Sequence, residues 1–140
     1  MEIDPRGPRF GAVITSVVLI VVLLTGSGVL LAVQALVFAI GAIAGLRYAP
    51  YGTLYRTLIR PRLGPPASTE PEAPPRFAQG VGMAFAIVGA VGYLSGVTAL
   101  GIVCTALALA AAFANAAFDY CLGCQMYLYI QRVRPSNGRL

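Results

Sequence analysis

Two long stretches of this chain, Phe10 to Leu46 and Phe77 to Phe118, carry no charged side chain, and all ten formal positive charges are arginines placed outside them. A helix rises about 1.5 Å per residue and a hydrocarbon core is about 30 Å thick, so each stretch is too long for one crossing and suits two. Each is therefore expected to form a helical hairpin. The turns fall at the small polar residues, Thr25-Gly26-Ser27-Gly28 in the first and Leu94-Ser95-Gly96 in the second. The expected architecture is an all-α membrane protein, a four-helix transmembrane bundle built from two repeated hairpins. Its spans are about 10–25, 28–46, 77–94 and 97–118, with a loop at 47–76, and residues 1–140 form one integral membrane domain.

Orientation follows from the arginines. Arg6 and Arg9, then Arg47, Arg56, Arg60, Arg62 and Arg76, then Arg132, Arg134 and Arg139 all lie on the side opposite the two turns. By the positive-inside rule that side is cytoplasmic, which puts both termini inside and makes this a multi-pass protein of the cell (inner) membrane. A soluble helical bundle does not suit such long uncharged runs at a mean hydropathy of +0.78. A cleaved leader is not expected either, because hydrophobicity resumes directly after the first turn.

Composition narrows the chemistry. Histidine and tryptophan are absent, and so is lysine. The usual general base, the commonest metal ligand and the usual Schiff-base nucleophile are thus missing, and catalysis by this chain alone is not expected. The net charge of +5 sits beside membrane spans, where arginines meet anionic lipid headgroups rather than nucleic acid.

The hairpins repeat a pattern. Pro8-Arg9-Phe10 opens the first and Pro75-Arg76-Phe77 the second, and Ser27-Gly28 answers Ser95-Gly96. Both copies enter from the same side, so the repeat is parallel rather than the inverted kind found in transporters. Near the hairpin ends Ala44-Gly45-Leu46-Arg47-Tyr48 answers Ala116-Ala117-Phe118-Asp119-Tyr120. The change of charge suggests that Arg47 and Asp119 pair at similar depth, relieving the cost of holding either near hydrocarbon.

Between the hairpins, Tyr51, Leu54, Tyr55 and Leu58 recur at helical spacing opposite Thr53, Arg56, Thr57 and Arg60. This predicts a short interfacial amphipathic helix, with Tyr51, Tyr55, Arg56 and Arg60 at lipid headgroup level. The proline-rich stretch from Arg62 to Pro75 has too little apolar surface to fold alone and reads as a tether. Small residues mark close helix packing: Gly41 and Gly45, then Gly82, Ala86 and Ala90, then Ala106, Ala110 and Ala114. Packing within the chain is the favoured use and a homodimer seam the other. Gln34, Gln79, Asn115, Thr15, Ser16, Thr98 and Thr105 are expected to hydrogen-bond between helices.

Cys121 and Cys124 form a C-x-x-C at the mouth of the fourth span. Three residues apart on a helix, they are close enough for a reversible disulfide. A helix running on through the pair would place it at a negative helix end. A new helix starting near Gln125 would instead give it a helix N-terminus, which favours thiolate. A redox or sulfur-carrying dithiol and a purely packing pair weigh equally. Zinc stays open only with ligands from a second chain or a partner, since the site offers two cysteines and no histidine, and acylation is a further use of an interfacial cysteine. Quinone binding among Tyr48, Tyr120, Tyr127 and Tyr129 also stays open, although such clusters usually form interface belts. Cys104 reads as a core residue.

Asp4-Pro5-Arg6-Gly7-Pro8-Arg9-Phe10, Pro75-Arg76-Phe77-Ala78-Gln79 and Phe118-Asp119-Tyr120-Cys121-Leu122-Gly123-Cys124 together resemble an actinobacterial family of small integral membrane proteins known as a domain of unknown function. The resemblance spans nearly the whole chain. It implies four spans and a terminal cysteine pair. It also implies association with thioredoxin-like and sulfurtransferase proteins, whose genes tend to lie nearby. The vitamin K epoxide reductase family also sets a C-x-x-C beside a fourth span, but its active pair faces outward and a second loop pair is absent here, so its activity is not carried over. The favoured function is a cytoplasmic dithiol, the candidate redox pair Cys121 and Cys124, in thiol redox or sulfur transfer with a soluble partner. Asp119 and Arg47 would set the local field. The alternative is a membrane scaffold or complex subunit with structural cysteines.

Overall fold

The apolar tracts fold as helices that overrun them at their N-terminal ends. A computed structural model, describing residues 2–4, 6–65, 69–118 and 120–133, gives α1 (Arg6–Thr25), α2 (Gly28–Ala39), α3 (Pro50–Leu54), α4 (Arg60–Leu63), α5 (Ala73–Ser95), α6 (Thr98–Phe118) and α7 (Leu122–Val133). Glu2–Ile3 (β1) and Glu70–Pro71 (β2) pair antiparallel. Helices α1, α5 and α6 are long and apolar enough to cross a membrane, and Gly28–Ala44 is a shorter apolar helix.

Both turns use glycine where the backbone needs it. Gly26 and Gly96 have φ of +68° and +92°, a region only glycine enters without strain. Ser27 then caps α2, its side chain accepting from the Leu30 N–H at 3.1 Å. The α-helical hydrogen bonding of α2 ends at Ala39 and passes into a π-helical turn, Ile40–Ala44, closed by Gly45 at φ +115°.

Helix α5 is the hub, packing on α2, α6 and α7, while α1 packs mainly on α6. Leu19 and Val22 of α1, Leu31, Ala35 and Phe38 of α2, Ala86 and Ala90 of α5 and Ala108 of α6 form the core. Leu36, Ile43, Val91 and Leu94 point outward, and Leu24 is 81% exposed. The helices thus present apolar surface on the outside as well as the inside. Small residues mark the closest approaches. A Cβ on Gly82 would lie 2.9 Å from the Phe38 ring, and one on Gly92 would lie 2.8 Å from the Gly101 nitrogen.

The structure departs from the sequence expectations in several places. On α6 the inward residues are Gly101, Cys104, Thr105 and Ala108, whereas Ala106 and Ala110 are exposed. Small residues lie on both faces of this helix, so spacing alone selects the wrong ridge. Ser16 and Thr105 do not bridge helices; they donate to Ala12 O at 2.8 Å and Gly101 O at 2.7 Å, one turn back on their own helices.

Residues 69–75 of the loop are held by more contacts than their composition suggests, while 66–68 of the expected tether lie outside the described residues. β2 is zipped to the N-terminus, and the Glu72 carboxylate accepts from the Leu46 N–H at 2.8 Å. Helix α5 starts at Ala73, because Pro74 and Pro75 fall in its first turn, where no N–H is needed. The amphipathic segment forms but is rotated: Tyr55 is 2% exposed while Leu54 and Leu58 face out. A π-helical turn over Tyr55–Ile59 widens the repeat and shifts the phase on which the expected face was read.

Candidate functional site

Helix α6 ends at Phe118, and the Tyr120 N–H reaches back to Ala114 O at 3.2 Å. The chain then restarts as α7 at Leu122, so of the two open geometries the pair meets a helix N-terminus. Cys121 sits just before the first turn of α7, with its carbonyl accepting from the Gln125 N–H at 3.0 Å and its Sγ from the Cys124 N–H at 3.0 Å. The sulfur thus stands where a serine or aspartate oxygen usually caps a helix. Cys121 and Cys124 are joined in a disulfide, their Cα atoms 5.1 Å apart. Cys104 is free and buried in the core.

Helix α7 is held on α5 at two points. Gly123 lies so close that a Cβ there would stand 2.5 Å from the Ala78 Cβ and 2.6 Å from its Cα. Four residues along, the Tyr127 ring packs on Phe77 with centroids 5.6 Å apart. The contact has a counterpart at the other Pro-Arg-Phe motif, where Phe10 packs on Tyr55 at 5.7 Å.

Beside the disulfide lies a cleft of about 560 Å³ between α1, α5, α6 and α7, with Phe38 of α2 on its wall. Cys121 and Cys124 line it, and Ala108, Ala111, Leu107 and Phe85 continue it between the helices. Its polar side chains include Gln79 of α5 and Asn115 of α6. Among the described residues neither of these amides has a side-chain hydrogen-bond partner.

A second cavity, of about 580 Å³, is lined by Arg47, Arg56, Arg60, Tyr51, Tyr55 and the start of α1. The Arg47 guanidinium lies 5.3 Å over the Tyr48 ring, and its carbonyl accepts from Arg56. Asp119, its expected ion partner, lies outside the described residues. Tyr51 donates to Gln34 Oε1 at 2.7 Å, tying the loop to the interior of α2.

Sequence reasoning missed Asp4. Its carboxylate accepts from Arg6 at 2.9 Å and from the Tyr55 hydroxyl at 3.0 Å, with Arg60 at 3.8 Å. Burial pushes the Asp4 carboxyl up, but bonds from the Arg6 side chain and backbone and from Tyr55 outweigh it and hold it below its ordinary value. Burial also raises the Tyr55 hydroxyl, and its bond to Asp4 adds to the rise. Nothing in local spacing marks this cluster, because its members come from the N-terminus and the loop.

Nearly all-helical architecture, three helices with the length and hydropathy to cross a membrane and a cysteine pair at a terminal helix define the class. Within it, residues 3–132 match the model of a family described as Domain of unknown function (DUF4395), and the chain belongs to that family. No curated protein and no solved structure is significantly similar to the chain.

Proposed function

We propose that this chain is a four-span protein of the cell membrane, with both termini in the cytoplasm, whose Cys121–Cys124 pair exchanges electrons or sulfur with a soluble thiol protein. The outward apolar surface of α1, α2, α5 and α6 supports the membrane placement, since lipid is the solvent that such a surface suits. The four helices are read as two copies of one hairpin, each opened by Pro-Arg-Phe. Thioredoxin-like and sulfurtransferase proteins are the soluble partners in view.

The observation that carries the chemistry is the position of Cys121 at the head of α7, with the Cys124 N–H aimed at its sulfur. That donor and the positive helix end stabilise a thiolate, which makes Cys121 the better leaving group and nucleophile once the pair is reduced. In the exchange a partner thiolate attacks the disulfide and a mixed disulfide forms. The partner's second thiol then resolves it, leaving Cys121 and Cys124 reduced and the partner oxidised. In the sulfur-transfer form a persulfide on Cys121 is attacked by the Cys124 thiol, which releases sulfide and restores the disulfide. Arg47, Arg56 and Arg60 around the second cavity suit the headgroups of anionic lipids.

A second reading is supported by the tight seat of Gly123 on Ala78: the disulfide acts only as a staple at the start of α7 in a membrane scaffold. Alkylation in inverted membrane vesicles, in a Cys104→Ala background, separates the two. Rapid labelling of Cys121 or Cys124 after mild reduction, prevented when an oxidised thioredoxin-type protein is added before the alkylating agent, is the expected result. A pair that resists reduction until the protein is denatured supports the staple instead.

A further inference from the structure

We infer that the cleft beside the disulfide receives a quinone-class molecule from the bilayer, to which the reduced pair passes its electrons. This rests on the redox reading of Cys121 and Cys124. A pair that oxidises a soluble partner ends as a dithiol and needs an acceptor to turn over again. The cleft that leads away from the pair is mostly apolar, lined by Ala108, Ala111, Leu107 and Phe85, and its one charged lining residue among the described residues, Glu70, is a carboxylate, so it does not suit an anionic acceptor.

Two features favour a quinone over an acyl chain. Gln79 and Asn115 bring side-chain amides from two different helices to the cleft, and among the described residues neither has a side-chain hydrogen-bond partner. An acyl chain has no use for them, whereas the two ring carbonyls of a quinone accept such donors. The disulfide itself forms part of the wall, so a bound ring lies beside the reacting sulfurs. The volume of about 560 Å³ accommodates a substituted ring and the start of its tail.

The step balances as a two-electron exchange. Both S–H bonds of Cys121 and Cys124 break and the S–S bond forms. Two electrons and two protons pass to the quinone, whose carbonyl oxygens become the hydroxyls of the quinol.

The test uses detergent-purified full-length protein carrying Cys104→Ala, reduced with tris(2-carboxyethyl)phosphine, desalted and kept anaerobic. Decylubiquinone is the probe and diamide the cleft-independent oxidant. Expected is loss of alkylatable thiol at Cys121 and Cys124, with a quinol for each disulfide formed. Asn115→Ala should slow oxidation by decylubiquinone about tenfold relative to oxidation by diamide in the same sample, the loss of one hydrogen bond to a bound carbonyl. Ala111→Leu, which fills the cleft without removing a donor, should slow it similarly. If the pair exchanges with a soluble disulfide but not with decylubiquinone, or both variants slow both oxidants equally, this inference falls and the exchange reading stands. A pair inert to every oxidant sinks both.

Discussion

Arg9 and Arg76 perform the same task on different helices. From the first turn of α1, Arg9 Nε donates to Ala116 O near the end of α6 at 3.1 Å. From α5, Arg76 donates to Ala42 O and Ile43 O, both at 2.7 Å, in the π-helical end of α2. Each Pro-Arg-Phe motif thus lays a guanidinium across the orphan carbonyls that close a helix of the other hairpin, where the helix dipole also favours a cation. This gives the paired motifs a physical reason in helix capping.

The two caps differ in worth. Arg76 makes two bonds and Arg9 one exposed bond, so Arg76→Ala should cost about 1–3 kcal/mol and Arg9→Ala about 0.5–1 kcal/mol. Thermal unfolding in a fixed detergent measures both. Arg76→Lys keeps the charge but not the forked geometry and should fall between wild type and Arg76→Ala. Equal melting temperatures for all three arginine variants would refute the capping account.

Gly123 is where α7 meets α5 without a side chain between them. Gly123→Ala places a methyl within 2.5 Å of Ala78 and forces the helices apart, at an expected cost of about 1–3 kcal/mol. Ala78→Gly in the same chain removes the opposing methyl but leaves the Ala78 Cα, 2.6 Å from the new methyl, so it should restore little of the loss. Because the shift also moves Cys121 and Cys124, the rate at which dithiothreitol reduces the disulfide should change in Gly123→Ala and stay changed in the double variant; a full recovery there would mean that the side-chain methyl alone sets the contact.

What the residue string revealed was whatever depends on charge and hydropathy along the chain. The helix ends at Thr25, Ser95 and Phe118 lie where glycine turns and the first charged or polar residues mark them, whereas α2 leaves α-helical geometry at Ala39, well before Leu46. Contacts made by residues remote in the chain stayed hidden. Glu72 on Leu46 and Asp4 on Tyr55 join segments whose meeting is set by how the helices pack. The inward face of α6 was ambiguous because alanines recur on both of its sides. Spacing sets Tyr51 and Tyr55 with Leu54 and Leu58 on one face at headgroup level, but the segment contains a π-helical turn and Tyr55 is buried while Leu54 and Leu58 face out. At the cysteines, the spacing gave the feasibility of the bridge, while the helix break before Leu122 decided which helix end the pair faces.

Asp4 should confer a pH dependence on the join between N-terminus and loop. A carboxyl held below its ordinary value of 3.8 contributes stability that is fully present above that value. The contribution is lost as pH falls through 3.8 toward the lowered folded value, where protonation breaks the bonds to Arg6 and Tyr55. Asp4→Asn should therefore lower stability at neutral pH by about 1 kcal/mol, discounted because the Arg6 partner is partly exposed to solvent. The gap between wild type and variant should close below the carboxyl range. Thermal unfolding of both proteins from neutral pH downward checks the sign, and a gap that widens in acid contradicts it.

Gln34 is 1% exposed, and its amide is only half satisfied: Oε1 accepts from Tyr51, while Nε2 has no partner among the described residues. Tyr51→Phe would leave both ends of a buried amide unpaired, at about 1–3 kcal/mol, since the desolvation already incurred is no longer offset. Replacing the amide as well, with Gln34→Met, removes the groups that need partners and should recover most of the loss. The double variant is therefore expected to be more stable than Tyr51→Phe alone, with a coupling energy between the two positions of about 1 kcal/mol or more. Additive losses in the double-mutant cycle would mean that the hydrogen bond between loop and α2 contributes little. The join would then rest on the packing of Tyr51 against Gly11 and of Tyr55 against Phe10.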